Sequence, residues 1–291
     1  PEKTAATYVP YYEYDAKGAT MNHALHYLNA NTGSTKITAT GTNVTFGLTK
    51  DYQQIASAYT GVLADQEQDG PVYAYYVPNG SNYDVYVLAN ETLYAPTDCS
   101  NLCNGMSNLV SFDASNFDTS KTTSMYRMFR DCTMLASIDV SHWDTANVTN
   151  MHDLFRGCKS LTTLDVSDWN TGKVETMIAM FHNCVLITEL DLNNWDVSNL
   201  KEAIQMFNRC SKLETLKISQ WNTKNLSNCT IMFQHCLALK ELDLSKWDTS
   251  SFTITSGMFN HCESMTDLNV STWDMSNVTD CHIMFQACYK L

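Results

Sequence analysis

No stretch of the 291-residue sequence comes near the roughly 20 consecutive apolar residues that a bilayer-spanning helix needs, so no membrane insertion is expected within this chain. The opening PEKTAATYVP has neither the basic nor the apolar region of a secretory signal, and an exported protein would be represented here by its processed or trimmed form. Basic residues are scarce: 18 Lys and Arg stand against 31 Asp and Glu, a formal charge of −13. That excess repels a phosphate backbone, so nucleic acid is not an expected partner. Catalytic signatures are missing as well. There is no Gly-x-Ser-x-Gly elbow, no His-Glu-x-x-His and no phosphate-binding glycine loop, and the eight histidines read as scattered over unrelated positions. These absences point away from an enzyme, and no catalytic residue, cofactor or metal is expected.

What the sequence does have is enough apolar content to fold, 44%, and eleven cysteines. Seven of them, Cys132, Cys158, Cys184, Cys210, Cys236, Cys262 and Cys288, are each 26 residues from the next. They mark a repeat rather than a set of pairs, and six tryptophans keep the same step: Trp143, Trp169, Trp195, Trp221, Trp247 and Trp273. Phe117 and Met106 extend the tryptophan and cysteine columns one unit upstream, and Cys103 and Cys99 fall in the Phe129 and Met125 columns, so the array begins near Thr97. A small buried apolar residue explains the cysteine column better than a redox or metal ladder does. Cys229 and Cys281, like Cys99, replace methionines of the repeat and read as packing too. His235 and His261 beside Cys236 and Cys262 supply, on paper, two nitrogens and two sulfurs for zinc; core-facing cysteines and their outward neighbours would point apart, which disfavours that site.

Within one unit, Leu161, Leu164 and Val166 alternate as a short half-buried strand would. From Val174 through Met177, Met180, Phe181 and Cys184 the apolar spacing of three and four predicts a helix. The expected fold class is therefore an α/β repeat, a leucine-rich-repeat-like solenoid with one strand and one helix per 26-residue coil, preceded by a β-rich cap.

The phrases LDVSDWNTGKVETMIAMFHNC and LNVSTWDMSNVTDCHIMFQAC resemble the BspA-type leucine-rich-repeat surface proteins of bacteria, including the mycoplasma-lipoprotein form of that repeat. The resemblance covers roughly residues 97–291. It implies a cell-surface or secreted protein that attaches to host molecules or other microbes, and it implies no catalytic residues.

The array, residues 97–291, is expected to hold about seven to eight coils and to be truncated at its C-terminal end, as a fragment of a longer surface protein. Residues 1–96 are expected to be the capping region, with a hairpin over 72–89 around Pro-Asn-Gly-Ser and its second strand forming the first strand of the array's sheet.

Candidate binding residues lie on the outward side of the strand. One column, Asp113, Asp139, Asp165, Asp191, Lys217, Asp243 and Asn269, reads either as an acidic stripe for a basic ligand or as a hydrogen-bonded ladder fixing the turn before tryptophan. Its near-uniformity favours the ladder. Two other columns vary, as a specific binding surface would: Ser111, Ser137, Thr163, Glu189, Thr215, Glu241, Asp267 and Asn116, His142, Asp168, Asn194, Gln220, Lys246, Thr272. The first reading is an extracellular or cell-surface adhesin or receptor-binding module whose sheet face holds a host or microbial surface protein or glycan. The alternatives are a structural spacer and a hydrolase seated in the N-terminal region.

Overall fold

The computed structural model describes residues 41–59, 62–65, 72–80, 82–90 and 92–291. The capping region before residue 41 lies outside the described residues. Its described part, β1 (Gly41–Leu48), β2 (Val62–Asp65), β3 (Val72–Asn79) and β4 (Asn82–Ala89), joins β6 (Ser111–Asp113) of the array in a five-stranded mixed sheet, in the order β2-β3-β4-β1-β6. Two shorter strands, β5 (Leu93–Tyr94) and β7 (Phe117–Asp118), pair parallel beside it. β3 and β4 form an antiparallel hairpin with Tyr75 opposite Tyr86 and Gly80 at φ +61 in the turn, the backbone state glycine adopts freely. β4 is not the strand next to the array, as stepping back by 26 residues predicts. β1 intervenes, parallel to both β4 and β6, with Val44 opposite Val85 on one side and Phe112 on the other. It lies outside the 26-residue frame, so the periodicity could not find it. The Phe46 ring then sits 5.0 Å from Phe112 and 4.3 Å from Phe117, which closes the end of the apolar interior.

The expected leucine-rich-repeat-like solenoid of alternating strand and helix does not form. Among the described residues the only α-helix, α1 (Gln53–Ala58), has six residues and lies before the repeats. Regular strand within the later repeats is limited to β8 (Glu189–Asp191) and β9 (Thr215–Lys217), which pair parallel. The segments expected to be helical are instead runs of turns. In Met151–Cys158, the N–H groups of Leu154, Arg156 and Cys158 bond back three residues to Met151, Asp153 and Phe155. The alternate N–H groups of Met151, Asp153, Phe155 and Gly157 leave the coil for the carbonyls of Thr176, Ile178, Met180 and His182, 25 residues on. A helix would keep all of these bonds internal.

The turn arrangement needs a left-handed residue at two points per coil, four apart: Asp153 (φ +58) and Gly157 (φ +76), then Ala179 (φ +53) and Asn183 (φ +64), and so on to Ile283 (φ +51) and Ala287 (φ +60). Non-glycine residues there cost about 1–2 kcal/mol each. The bonds between coils, which recur at each described junction with a single gap where Met177 N–H would meet the Glu202 carbonyl, offset that cost.

Two further ladders join the coils and both have gaps. On the strand side, bridges join Ser137 to Thr163, Glu189 to Thr215 and Glu241 to Asp267, whereas among the described residues none joins 163 to 189 or 215 to 241. One strand per coil is therefore also corrected: junctions on this side are alternately closed and open. The second ladder runs Asp98, Ser124, Asn150, Thr176 and resumes as Glu202, Asn228, Ile254, Asp280. Hydroxyls reinforce it where they occur, since Thr149 Oγ1 donates to the Thr123 carbonyl and Thr253 Oγ1 to that of Ser227. Glu175 and Lys201 hold the corresponding positions at the gap and have no hydroxyl to give.

Inside, equivalent rings stack coil on coil. Trp143, Trp169 and Trp195 lie 6.3 and 6.4 Å apart at 4° and 2° between planes. Phe129, Phe155, Phe181, Phe207, Phe233 and Phe259 form a second column at steps of 5.3–6.0 Å. The indole N–H groups of Trp169, Trp195, Trp221 and Trp247 each donate to a carbonyl of the preceding coil. The cysteine column adds its own bonds. From Cys132 to Cys288 each thiol lies 3.1–3.2 Å from a carbonyl of the preceding coil, that of Phe129 for Cys158 and Phe155 for Cys184. All eleven cysteines are free, and only Cys281 is exposed and Cys288 half-buried. Burial pushes the Cys184 thiol up to about 12. Because the thiolate is the reactive form, native titration with a thiol reagent is expected to reach Cys281 and partly Cys288, with the remaining nine released on denaturation. Rapid native modification of five or more groups would contradict the buried column.

Candidate functional site

The candidate residues all reach the outer surface of the strand side. Asp139, Asp165, Glu189, Asp191, Lys217, Glu241, Asp243, Asp267, His142 and Gln220 are all exposed. Their positions follow from the period-two alternation across each short strand, as in β8, where Leu190 is buried between exposed Glu189 and Asp191.

The uniform column is tied into local turns. Asp139 Oδ1 accepts the Ser141 N–H at 3.2 Å and the Ser141 hydroxyl at 2.7 Å, and Asp165 with Ser167, Asp243 with Ser245 and Asn269 with Ser271 repeat the pattern. The Ser141 and Ser245 hydroxyls hold the Asp139 and Asp243 carboxyls below the usual carboxylate range, because hydrogen bonds favour the ionised form. Where Asn193 replaces serine, Lys217 takes over. Its Nζ lies 2.7 Å from Asp191 Oδ2, and that bond lowers the Asp191 pKa and raises that of Lys217.

The varied columns are less constrained. Glu241 and Asp267 are bridged neighbours and place two carboxylates side by side. Gln220 accepts from Lys246 Nζ at 2.9 Å, and His142 Nε2 lies 3.0 Å from the Ala114 carbonyl. Clefts of about 400, 350 and 350 Å³ open at alternate junctions: Ser111–Ser115 against Ser137–His142, Thr163–Ser167 against Glu189–Asp191, and Glu214–Lys217 against Glu241–Asp243. The structure thus brings Asp165, Glu189, Asp191 and Lys217 around one cleft and Lys217, Glu241, Asp243 and Asp267 around the next. Asp139 and His142 line the first, and Gln220 lines none of these three.

The opposite, turn side holds a cluster that the sequence reading missed. All four arginines of the chain, Arg127, Arg130, Arg156 and Arg209, lie on the turn segments. So do His152, His182, His235, His261 and His282, five of the six histidines among the described residues. The histidines are therefore gathered rather than scattered. At one end, fully buried Asp153 receives Arg127 Nε at 3.1 Å and Arg156 Nη1 at 3.3 Å, with His152 Nε2 at 3.6 Å. At the other, His235 and His261 stack at 4.7 Å while the thiols of Cys236 and Cys262 donate into the core, so nitrogens and sulfurs face apart.

A family model described as Mycoplasma protein of unknown function, DUF285, matches residues 97–214 and again 185–291. No curated protein and no solved structure matches the chain.

Proposed function

The chain belongs to the family of Mycoplasma proteins of unknown function, DUF285, a bacterial repeat family, and from that premise we propose an extracellular or cell-surface binding module. Its strand face holds a host or microbial surface protein or glycan. The observation that carries this reading is the coincidence of varied, exposed columns with open clefts: Glu189, Glu241 and Asp267 change from coil to coil and line the junctions that backbone pairing leaves open. A partner read by such columns would be selected by differences between coils. The likeness of the repeat to BspA-type surface proteins supports attachment as the role. A structural spacer is the second reading, favoured by the Asp-Ser turns that satisfy the uniform column internally.

The strand face carries Asp139, Asp165, Asp191, Glu189, Asp243, Glu241 and Asp267 against Lys217 and Lys246. Its partner should present a basic or hydrogen-bond-donating surface, with association slowed by salt because exposed attraction is screened over about 8–10 Å. Replacing Glu189 and Glu241 together with Lys is expected to weaken capture of host-surface components about tenfold or more, with an unchanged thermal midpoint. Glu241→Lys also relieves repulsion from Asp267, so loss of fold is not expected to confuse the result. Capture that is indifferent both to the double change and to salt would remove the strand face as the site.

A further inference from the structure

The turn side carries a second feature independent of the strand face. Six consecutive coils each contribute one guanidinium or imidazole in single file: Arg130, Arg156, His182, Arg209, His235 and His261. The first three stand immediately after the phenylalanine of their coil and the next three one residue later, and the phenylalanine rings beneath set a step of 5.3–6.0 Å. On a chain of charge −13, all four guanidiniums stand on this side, and the carboxylates that pair with it among the described residues are Asp131, Asp153 and Glu263. Asp153 is shared between Arg127 and Arg156, Asp131 lies 3.4 Å from Arg130 and Glu263 3.1 Å from His261. Arg209, exposed, has no ion pair among the described residues.

The file is electrically continuous. His182 is held neutral, its pKa pushed down to about 4 by burial and then by Arg156 and Arg209 on either side. Burial lowers His235 as well, followed by His261 and Arg209. Polar groups along the file also lack partners: His182 Nδ1 and the Oδ1 atoms of Asn208 and Asn260 are buried without a hydrogen bond, and the Asn208 and Asn260 residues are only 3% and 4% exposed. Buried polar groups of this kind are usually completed by ordered water.

We propose that this face binds a linear sulfated glycan, laid along the stack so that successive charged groups meet successive coils. The guanidinium fork matches the oxygen pairs of sulfate and carboxylate, and the neutral imidazole of His182, between Arg156 and Arg209, can both donate to and accept from sugar hydroxyls. A sugar unit is about as long as one coil is thick, so successive units of such a chain can lie against successive coils. A single-stranded nucleic acid fits less well. It needs exposed aromatic platforms for its bases, and the net negative charge of the chain repels its backbone at long range.

The test is binding of the whole chain to immobilised heparin at physiological salt, with neutral dextran and a single-stranded DNA of matched length as controls. The expected result is salt-sensitive binding to heparin that exceeds both controls at least tenfold. Arg209→Glu with His235→Gln should abolish it, and Arg130→Gln with Arg209→Gln should reduce it about tenfold, each with an unchanged thermal midpoint. The strand-face change of Glu189 and Glu241 to Lys should leave heparin binding intact, which separates this surface from the one proposed above. No heparin binding, equal binding of the DNA or dextran, or full binding by both turn-face variants would overturn the proposal.

Discussion

Trp195→Ala is expected to destabilise the protein by about 3–5 kcal/mol, the cost of truncating a large buried aromatic. The Trp195 ring is 2% exposed, lies 6.4 Å from Trp169 and 6.3 Å from Phe181, and donates its indole N–H to the Val166 carbonyl at 2.9 Å. Truncation therefore opens a void and removes a donor at the same time. Its place in the stack increases the effect. The coils containing Trp169 and Trp195 meet where the strand-side ladder is open between 163 and 189 and the second ladder breaks between Thr176 and Glu202. Turn-side bonds such as Phe181 N–H to Met206, the aromatic and thiol columns, and two side-chain bonds, Thr171 Oγ1 to the Asp196 carbonyl and Asn199 Nδ2 to that of Gly172, are left to hold this junction. Contacts in a stack run between neighbours, so loss of hydrogen-exchange protection should centre on these two coils. Urea denaturation measures the magnitude. A midpoint equal to that of the unsubstituted protein would show that the tryptophan column contributes little to holding the coils.

The repeat, its length and its inward columns were readable because identical residues recur every 26 positions, and the buried tryptophan, phenylalanine and cysteine columns follow from that alone. The helix was not. Inward residues such as Met151, Leu154, Phe155 and Cys158 are spaced three, one and three apart, and a run of turns closed by bonds three residues back points them inward as a helix would. What decides between the two is where alternate N–H groups go, and periodicity carries no record of that. The residues that adopt positive φ give little help: Asp153, Ala179, Gln205, Ile231 and Gly257 share one column. Only glycine among them advertises the conformation.

For the candidate site, a hydrogen-bonded role for the uniform column at the turn before tryptophan was legible, although its partner, the serine two residues on in the same coil, emerges only in the structure. The alternation of closed and open strand junctions was not, since it repeats every two coils while the residues repeat every one. The cationic file was hidden by the assumed helix. Arg130 and Arg209 occupy adjacent columns, which a helix would turn well away from each other. In successive turns both columns reach the outer face, with Arg130 and Arg156 half-buried in one and Arg209 exposed in the other.

Asp153→Ala is expected to cost about 2–4 kcal/mol, because it leaves Arg127 and Arg156 without the buried carboxylate that neutralises both. The lower half of that range applies if the two guanidiniums, each about one third exposed at 33% and 34%, turn to water after the change. Asp153 also sits at φ +58, where aspartate and asparagine are better tolerated than alanine. Asp153→Asn should therefore lose less, keeping the conformation and a hydrogen bond to one arginine. A thermodynamic cycle with Arg127→Ala and Arg156→Ala isolates the charge effect, since removing Asp153 should cost little once both arginines are gone. A loss in the single variant no larger than that of an ordinary surface substitution would mean that the carboxylate does not organise this end of the turn face. The same change should move binding the other way. If the file of cations holds a sulfated glycan, freeing Arg127 and Arg156 from Asp153 raises its net charge, and the less stable variant should bind heparin more tightly than the original chain.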